Sequence, residues 1–167
     1  MKKDFADANE ESAELIALVL GRLKKGDTMF SDVNLDDLFE VNKYHHFREN
    51  YRELLVKTVF LNDDNPLKKA AYAFVSKVIE ATGEFDVSVI LAMTYHKMTS
   101  LSADFLCKYV NKIGCESMVG YIIYNAMKSC LDTGVHNDVI KNTCSELSSD
   151  EKKMIRNIVE KYRQFAK

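Results

Sequence analysis

Tryptophan is missing from this 167-residue chain, and proline occurs only once. One proline and six glycines are too few for the many tight turns of an all-β fold, and they argue equally against a disordered chain. The net charge of −2 gives no basic surface for nucleic acid and no polybasic membrane signal. No apolar run approaches the roughly 20 residues that span a bilayer. We therefore expect a helical protein with no nucleic-acid partner and no membrane span.

Cysteine, histidine and carboxylate residues form no recognised catalytic or metal-binding pattern. His45 and His46 are adjacent, so on a helix their side chains would diverge by about 100° and could not easily bind one metal. Acidic residues cluster at predicted helix starts, where capping explains them. The four cysteines lie at spacings that match no zinc or redox motif: Cys107, Cys115, Cys130 and Cys144. We expect no metal, no cofactor and no enzymatic activity.

The amino-terminal residues do not have the pattern of a secretory signal peptide. The first apolar run, Leu15–Leu20, is short and lies in an amphipathic context. A cytoplasmic location is therefore expected, in which the cysteines would stay reduced. The chain is long enough to bury about 70% of its unfolded surface without disulfides, so residues 1–167 are predicted to form a single domain.

Apolar residues recur at spacings of three and four along most of the chain, which is the pattern of amphipathic helices. The run after Gly83 has almost no polar face, and this is typical of a helix surrounded by others. We predict an all-α bundle of about seven helices around this hydrophobic central helix. The predicted helices cover residues 8–25, 36–42, 44–61, 66–82, 85–98, 118–131, 136–147 and 150–167. The helix that starts at residue 85 either breaks near Ser100 or continues to Ile113.

The segment with the clearest start and stop signals is the helix over residues 66–82. Residues 62–65 are Asn or Asp, which cap helix starts, and Pro66 fits the first helical position, where no N–H donor is needed. Gly83 supplies a stop, because glycine accepts the left-handed conformation common at helix ends. The small side chains of Ala70 and Ala71 would let another helix approach closely.

Three short segments follow one another in the order Glu53–Leu55, Asn65–Lys68 and Ala70–Phe74. In this order they resemble the three parts of the first homology motif of the Bcl apoptosis-regulator family. Tyr109–Gly114, which precedes an apolar helix, is similar to the second motif. The order of helices is also similar over roughly residues 12–131.

The chain departs from the family pattern at defined positions. Leu67 and Lys68 stand where the family has glycine and arginine, and the tryptophans of both motifs are missing. The third motif is present only as Gly26 and Asp27, with Arg22 in the place of leucine. Such departures resemble virus-encoded members, some of which bind inflammatory-signalling proteins.

The resemblance implies a host–virus interaction module that inhibits apoptosis or inflammatory signalling. Its partner would be an amphipathic helix of a death-promoting or signalling protein, bound in a hydrophobic groove between the helices over residues 44–61 and 66–82. Lys68 at the rim would pair with an aspartate of the partner as a point charge. The residues implied to line the floor are Leu54, Ala70, Ala71 and Val75.

Two other protein classes remain open. Asp63–Ile79 is similar to the turn and helix of a HEAT-like adaptor repeat, and a second copy at a fixed period would support that class, but the sequence has none. A virus-type assembly or nucleic-acid-organising protein is the other class, which a clustered basic face would indicate. A homodimer is compatible with the sequence as well.

The groove hypothesis predicts that Ala71→Trp weakens the binding of a helical peptide by about 2 kcal/mol or more, the scale of an interface hot spot. A peptide titration measures this, with circular dichroism to establish that the fold is intact. Unchanged affinity in a folded variant would contradict the assignment of Ala71 to the groove.

Overall fold

The computed structural model describes residues 5–96, 99–113 and 118–135, together with scattered positions between 137 and 153. Every regular element in this part of the chain is an α-helix, which confirms the all-α prediction. The two helices predicted over residues 136–147 and 150–167 lie outside the described ranges. The helices are α1 (Phe5–Lys24), α2 (Leu35–Leu38), α3 (Val41–His46), α4 (Arg48–Thr58), α5 (Pro66–Thr82), α6 (Val87–Tyr95), α7 (Ser100–Ile113) and α8 (Met118–Thr133).

The chain divides into two compact units, Met1–Val89 and Ile90–Lys167. The division falls inside α6, so the first unit contains α1 to α5 and the first residues of α6. The second unit contains α7 and α8, which pack against each other. The prediction of one domain arranged around a central helix stays a prediction.

In the first unit α1 packs against α4 and presents one apolar stripe to it. Ile16, Val19 and Leu20 on this stripe are buried, while Lys24 at the end of the helix forms an ion pair of 2.8 Å with Glu53 of α4. These spacings of three and four are those predicted from the sequence. The burial of the stripe therefore fixes which face of α1 meets α4.

Arg22 organises the loop that follows α1. Its Nε donates to Asp27 at 2.9 Å, one terminal nitrogen donates to both oxygens of Asp32 at 2.9 and 3.0 Å, and the other donates to the carbonyl of Met29. The guanidinium also lies 4.8 Å from the ring centre of Phe30. The hydrogen bond from the Met29 amide, and after it the one from Arg22, holds the pKa of Asp27 below its ordinary value. For Asp32 the hydrogen bonds from Arg22 are the main cause of a lowered pKa.

The stretch between this loop and α5 differs from the prediction. Instead of helices over residues 36–42 and 44–61, the chain forms the short helices α2 and α3, and α4 begins only at Arg48. Asn34 caps α2 by accepting a hydrogen bond from the amide of Asp36 at 3.1 Å. Phe39 and Tyr44 would point about 140° apart on one continuous helix. The breaks let both rings reach Phe74, at centre distances of 5.2 and 6.0 Å.

Four aromatic rings form the centre of the first unit. Tyr51 of α4 packs in a tilted arrangement at 5.1 Å from Phe74 of α5, and Phe39 and Tyr44 each contact both of these rings. The Tyr51 hydroxyl donates to the carbonyl of Leu38, which ties α4 to the end of α2. Burial raises the pKa of Tyr51 to about 12, so the hydroxyl keeps its proton and its role as a donor.

The bounds of α5 are those predicted, Pro66 to Thr82. Asn65 caps the helix by accepting from the amide of Leu67 at 2.9 Å, and its own amide group donates to the carbonyl of Thr28 at 3.2 Å. Gly83 ends the helix at φ +70°, in the left-handed region. Asn65 thus caps α5 and also joins it to the loop after α1.

The chain breaks near Ser100 and does not form one continuous helix to Ile113. The helix that begins at Val87 ends at Tyr95, and a new helix begins at Ser100, whose start is stabilised by a 3.3 Å hydrogen bond from the Ser102 amide to Thr99 Oγ1. Phe105 and Tyr109 pack at 4.9 Å in the buried face of α7. The next helix, α8, covers the predicted residues 118–131 and ends at Thr133.

The Arg22 network predicts a pH-dependent effect of Arg22→Gln. Because the folded-state pKa values of Asp27 and Asp32 lie below the ordinary value of 3.8, their stabilising contribution is present above that value and is lost as the pH falls through the folded-state pKa values. Urea unfolding at pH 7 should therefore show a clear loss of stability for Arg22→Gln, and the loss should shrink at pH 3. A loss of equal size at both pH values would contradict this account.

Candidate functional site

The side chains of most predicted groove residues are buried in the interior of the first unit. Leu54 and Ala71 are fully buried, Val75 is nearly so, and Ala70 is half-buried. Such burial is the environment of ordinary core residues, because α4 and α5 pack directly against each other. A contact of these side chains with a partner helix stays a prediction.

Lys68 does not lie at a rim, and this placement was wrong. Its side chain is fully buried, and its ammonium donates to the carbonyls of Leu61 at 3.0 Å and Val59 at 3.3 Å. Asp63 forms an ion pair of 2.9 Å with the same ammonium. The long aliphatic stem lets the charge reach the carbonyls that follow α4, where a helix end favours a cation.

An open cleft lies on the surface of the first unit, beside the segment that joins α5 to α6. Its volume is about 550 Å³. We call it the charged cleft, because four of the side chains that line it carry charge. The residues that line it are Tyr44, Arg48, Arg52, Gly83, Glu84, Phe85, Asp86, Val87 and Ser88.

Two ion pairs cross the charged cleft from α4 to the segment after α5. Arg48 donates to Glu84 at 2.8 Å, and both side chains are at least half exposed. Arg52 donates to Asp86 at 2.7 Å, and here the carboxylate is only 9% exposed. The hydrogen bond and the charge of Asp86 raise the pKa of Arg52. The two pairs are therefore unequal, since water screens the first much more than the second.

Asp86 also begins α6. The oxygen that does not contact Arg52 accepts hydrogen bonds from the amides of Ser88 at 2.9 Å and Val89 at 3.3 Å. This is the geometry of a helix cap, which satisfies amides that have no partner within the helix. One carboxylate thus fixes the start of α6 and the position of Arg52.

A small apolar hollow lies next to the charged cleft, between α4 and α5. Tyr44, Phe85 and Asp86 line both spaces, so these three residues form the boundary between them. The hollow is almost filled by its own side chains, with about 10 Å³ left for solvent. The remaining residues of the hollow are Leu55, Phe74, Val75, Val78 and Val89. Val75 is the one predicted groove residue that lines it.

The charged residues of the cleft were missed by sequence reasoning. Arg48 and Glu84 are 36 residues apart, and Arg52 and Asp86 are 34 apart, so no local pattern connects them. A weak signal was present in the run Glu84–Asp86, which places two carboxylates around a phenylalanine just after the stop at Gly83.

Neither a metal-binding group of side chains nor a membrane-spanning helix occurs in the part of the chain that the structure describes. There, no group of three or more histidine, cysteine or acidic side chains is arranged to hold a metal ion. None of the helices in the same residues combines the length and the apolar character needed to cross a bilayer. Comparisons with protein-family models, curated proteins and solved structures gave no match. The resemblance to Bcl regulators stays a prediction.

The two carboxylates of the cleft should differ in their effect on stability. Asp86→Ala removes both a helix cap and an ion pair whose carboxylate is largely buried, and we expect it to lower the free energy of unfolding by about 2 kcal/mol. Glu84→Ala removes only an exposed pair and should cost at most about 0.5 kcal/mol. Urea unfolding of the two variants measures both values. Equal losses would show that the two ion pairs do not differ as described.

Proposed function

We propose that this chain is a protein-interaction module that binds an amphipathic partner helix at the charged cleft. The observation that carries the proposal is the junction of the charged cleft with the apolar hollow at Tyr44, Phe85 and Asp86. In keeping with the resemblance to Bcl regulators, the module would inhibit apoptosis or inflammatory signalling in a host–virus interaction.

The chemistry of the two spaces matches the two faces of an amphipathic helix. An apolar stripe of the partner, at positions i, i+3 or i+4, and i+7, would lie toward Phe85 and the exposed side chain of Val87. The partner's polar face would lie near the arginines and carboxylates around the cleft. A volume of about 550 Å³ is enough for a few anchoring side chains, as in other binding pockets.

The cation that recognises an acidic residue of the partner differs from the one expected. Lys68 is fully buried and bound to groups of its own unit, so it offers no charge to a partner. Arg48 is half exposed and borders the cleft. Its guanidinium can bind a carboxylate through two parallel hydrogen bonds, which a lysine cannot do. We therefore assign to Arg48 the pairing role expected of Lys68.

A blocking substitution tests the proposed surface. Ser88 is exposed at the edge of the cleft, so Ser88→Trp should fill part of the space without disturbing the core. We expect this variant to bind amphipathic helical peptides at least tenfold more weakly than the unmodified chain. The panel would include death-promoting helix peptides, each labelled with fluorescein and titrated by fluorescence anisotropy.

The matched control is Lys77→Trp, because Lys77 is exposed on α5 and does not line the cleft. The chain has no tryptophan of its own, so in each variant the emission reports only the introduced side chain. Peptide binding should shift the emission of Ser88→Trp and leave that of Lys77→Trp unchanged. Peptides that bind both variants as well as the unmodified chain would refute binding at this cleft.

A further inference from the structure

The short segment Gly83–Asp86 itself has the chemistry that the charged cleft would recognise. It presents a phenylalanine between two carboxylates, and each carboxylate pairs with one arginine of α4. Arg48 and Arg52 are four residues apart, so they lie on the same face of the helix, one turn from each other. Phe85, between the two pairs, is half-buried at the boundary of the cleft and the hollow.

We propose that Gly83–Asp86, which forms one wall of the charged cleft, pairs with the arginines of the cleft as an internal ligand, and that the protein partner presents the same chemistry, a carboxylate beside a large apolar side chain. This inference rests on the proposed function, because it takes the cleft as the binding surface. It adds the chemical class of the partner. It also identifies Gly83–Asp86 as a segment of the same chain that competes with the partner for Arg48.

The two ends of the segment differ in how easily they are displaced. Asp86 is held by Arg52 and by two amides of α6, so it stays in place. The carboxylate of Glu84 forms the exposed pair with Arg48, and such pairs contribute little to stability in water. The Glu84 amide donates to Thr82 Oγ1 at 3.1 Å, a contact that does not involve the carboxylate. A partner carboxylate can therefore replace Glu84 on Arg48 while the cap of α6 remains intact.

The backbone next to Glu84 supplies a place where the segment can turn. Gly83 has a φ of +70°, and glycine also tolerates other regions of conformational space that are closed to residues with a Cβ. A change in the torsions of Gly83, compensated by changes at Glu84 and Phe85, would carry these two side chains away from α4 while Asp86 stays fixed. The apolar side chain of the partner would then take the position of Phe85 at the boundary between the cleft and the hollow.

Competition within the chain has a measurable consequence. When a site is open for only a fraction of the time, the apparent dissociation constant rises in proportion to the inverse of that fraction. Weakening the hold of Glu84 on Arg48 should therefore strengthen binding of an acidic partner. Glu84→Gln is the smallest such change, because it keeps the size of the side chain and removes the charge.

The experiment uses the full chain and two designed helical peptides with the same apolar stripe. One peptide carries Glu-Phe in this stripe and its twin carries Gln-Phe. We expect the Glu-Phe peptide to bind the unmodified chain at least fivefold more tightly than its twin, and Glu84→Gln to tighten its binding at least threefold further. Arg48→Gln should abolish the preference for the Glu-Phe peptide. Asp64→Asn, at an exposed acidic residue outside the cleft, is the matched control and should change neither affinity.

The outcomes separate this inference from the proposed function. If both peptides bind with equal affinity, unaffected by Glu84→Gln but still blocked by Ser88→Trp, the internal-ligand inference is wrong and the binding module remains. If neither peptide binds the unmodified chain or Glu84→Gln, both are overturned. Circular dichroism and urea unfolding of each variant ensure that a lost affinity does not come from a lost fold.

Discussion

The packing of Phe74 against three other aromatic rings is the interaction on which the first unit depends. Phe39, Tyr44 and Tyr51 come from three different parts of the chain and meet on this one side chain of α5. Aromatic pairs at such distances add to the stabilisation that burial itself provides. The cluster fixes α3 and α4 relative to α5, and in this way sets the position of the arginines that face the charged cleft.

Local signals in the sequence were sufficient for α5 and insufficient for the chain before it. Asn65, Pro66 and Gly83 act within one turn of the helix ends, so their effect is visible without the fold. No proline or glycine marks the breaks between α2, α3 and α4, and these breaks accompany the packing of Phe39 and Tyr44 on the distant Phe74. Lys68 was misplaced for a related reason: its acceptors lie seven and nine residues earlier, beyond the end of α4.

The candidate site was only partly visible from sequence. Val75 was predicted as a groove residue and lines the apolar hollow, because helical spacing identifies the face that α5 turns toward α4. The arginine–carboxylate pairs depend on contacts between distant segments, and periodicity contains no information about them. The proposed binding surface has therefore moved from the packed face between α4 and α5 to its edge, where the segment after Gly83 meets α4.

The most direct test of a partner-binding cleft is residue-by-residue mapping of peptide binding by nuclear magnetic resonance. Titration of the isotope-labelled chain with an amphipathic helical peptide should shift the amide signals of Arg48, Arg52, Phe85 and Ser88 most strongly, since these residues line the charged cleft. Amides on the exposed face of α1, such as that of Leu18, should stay unchanged. Shifts centred on α1, or none along the cleft, would contradict the account.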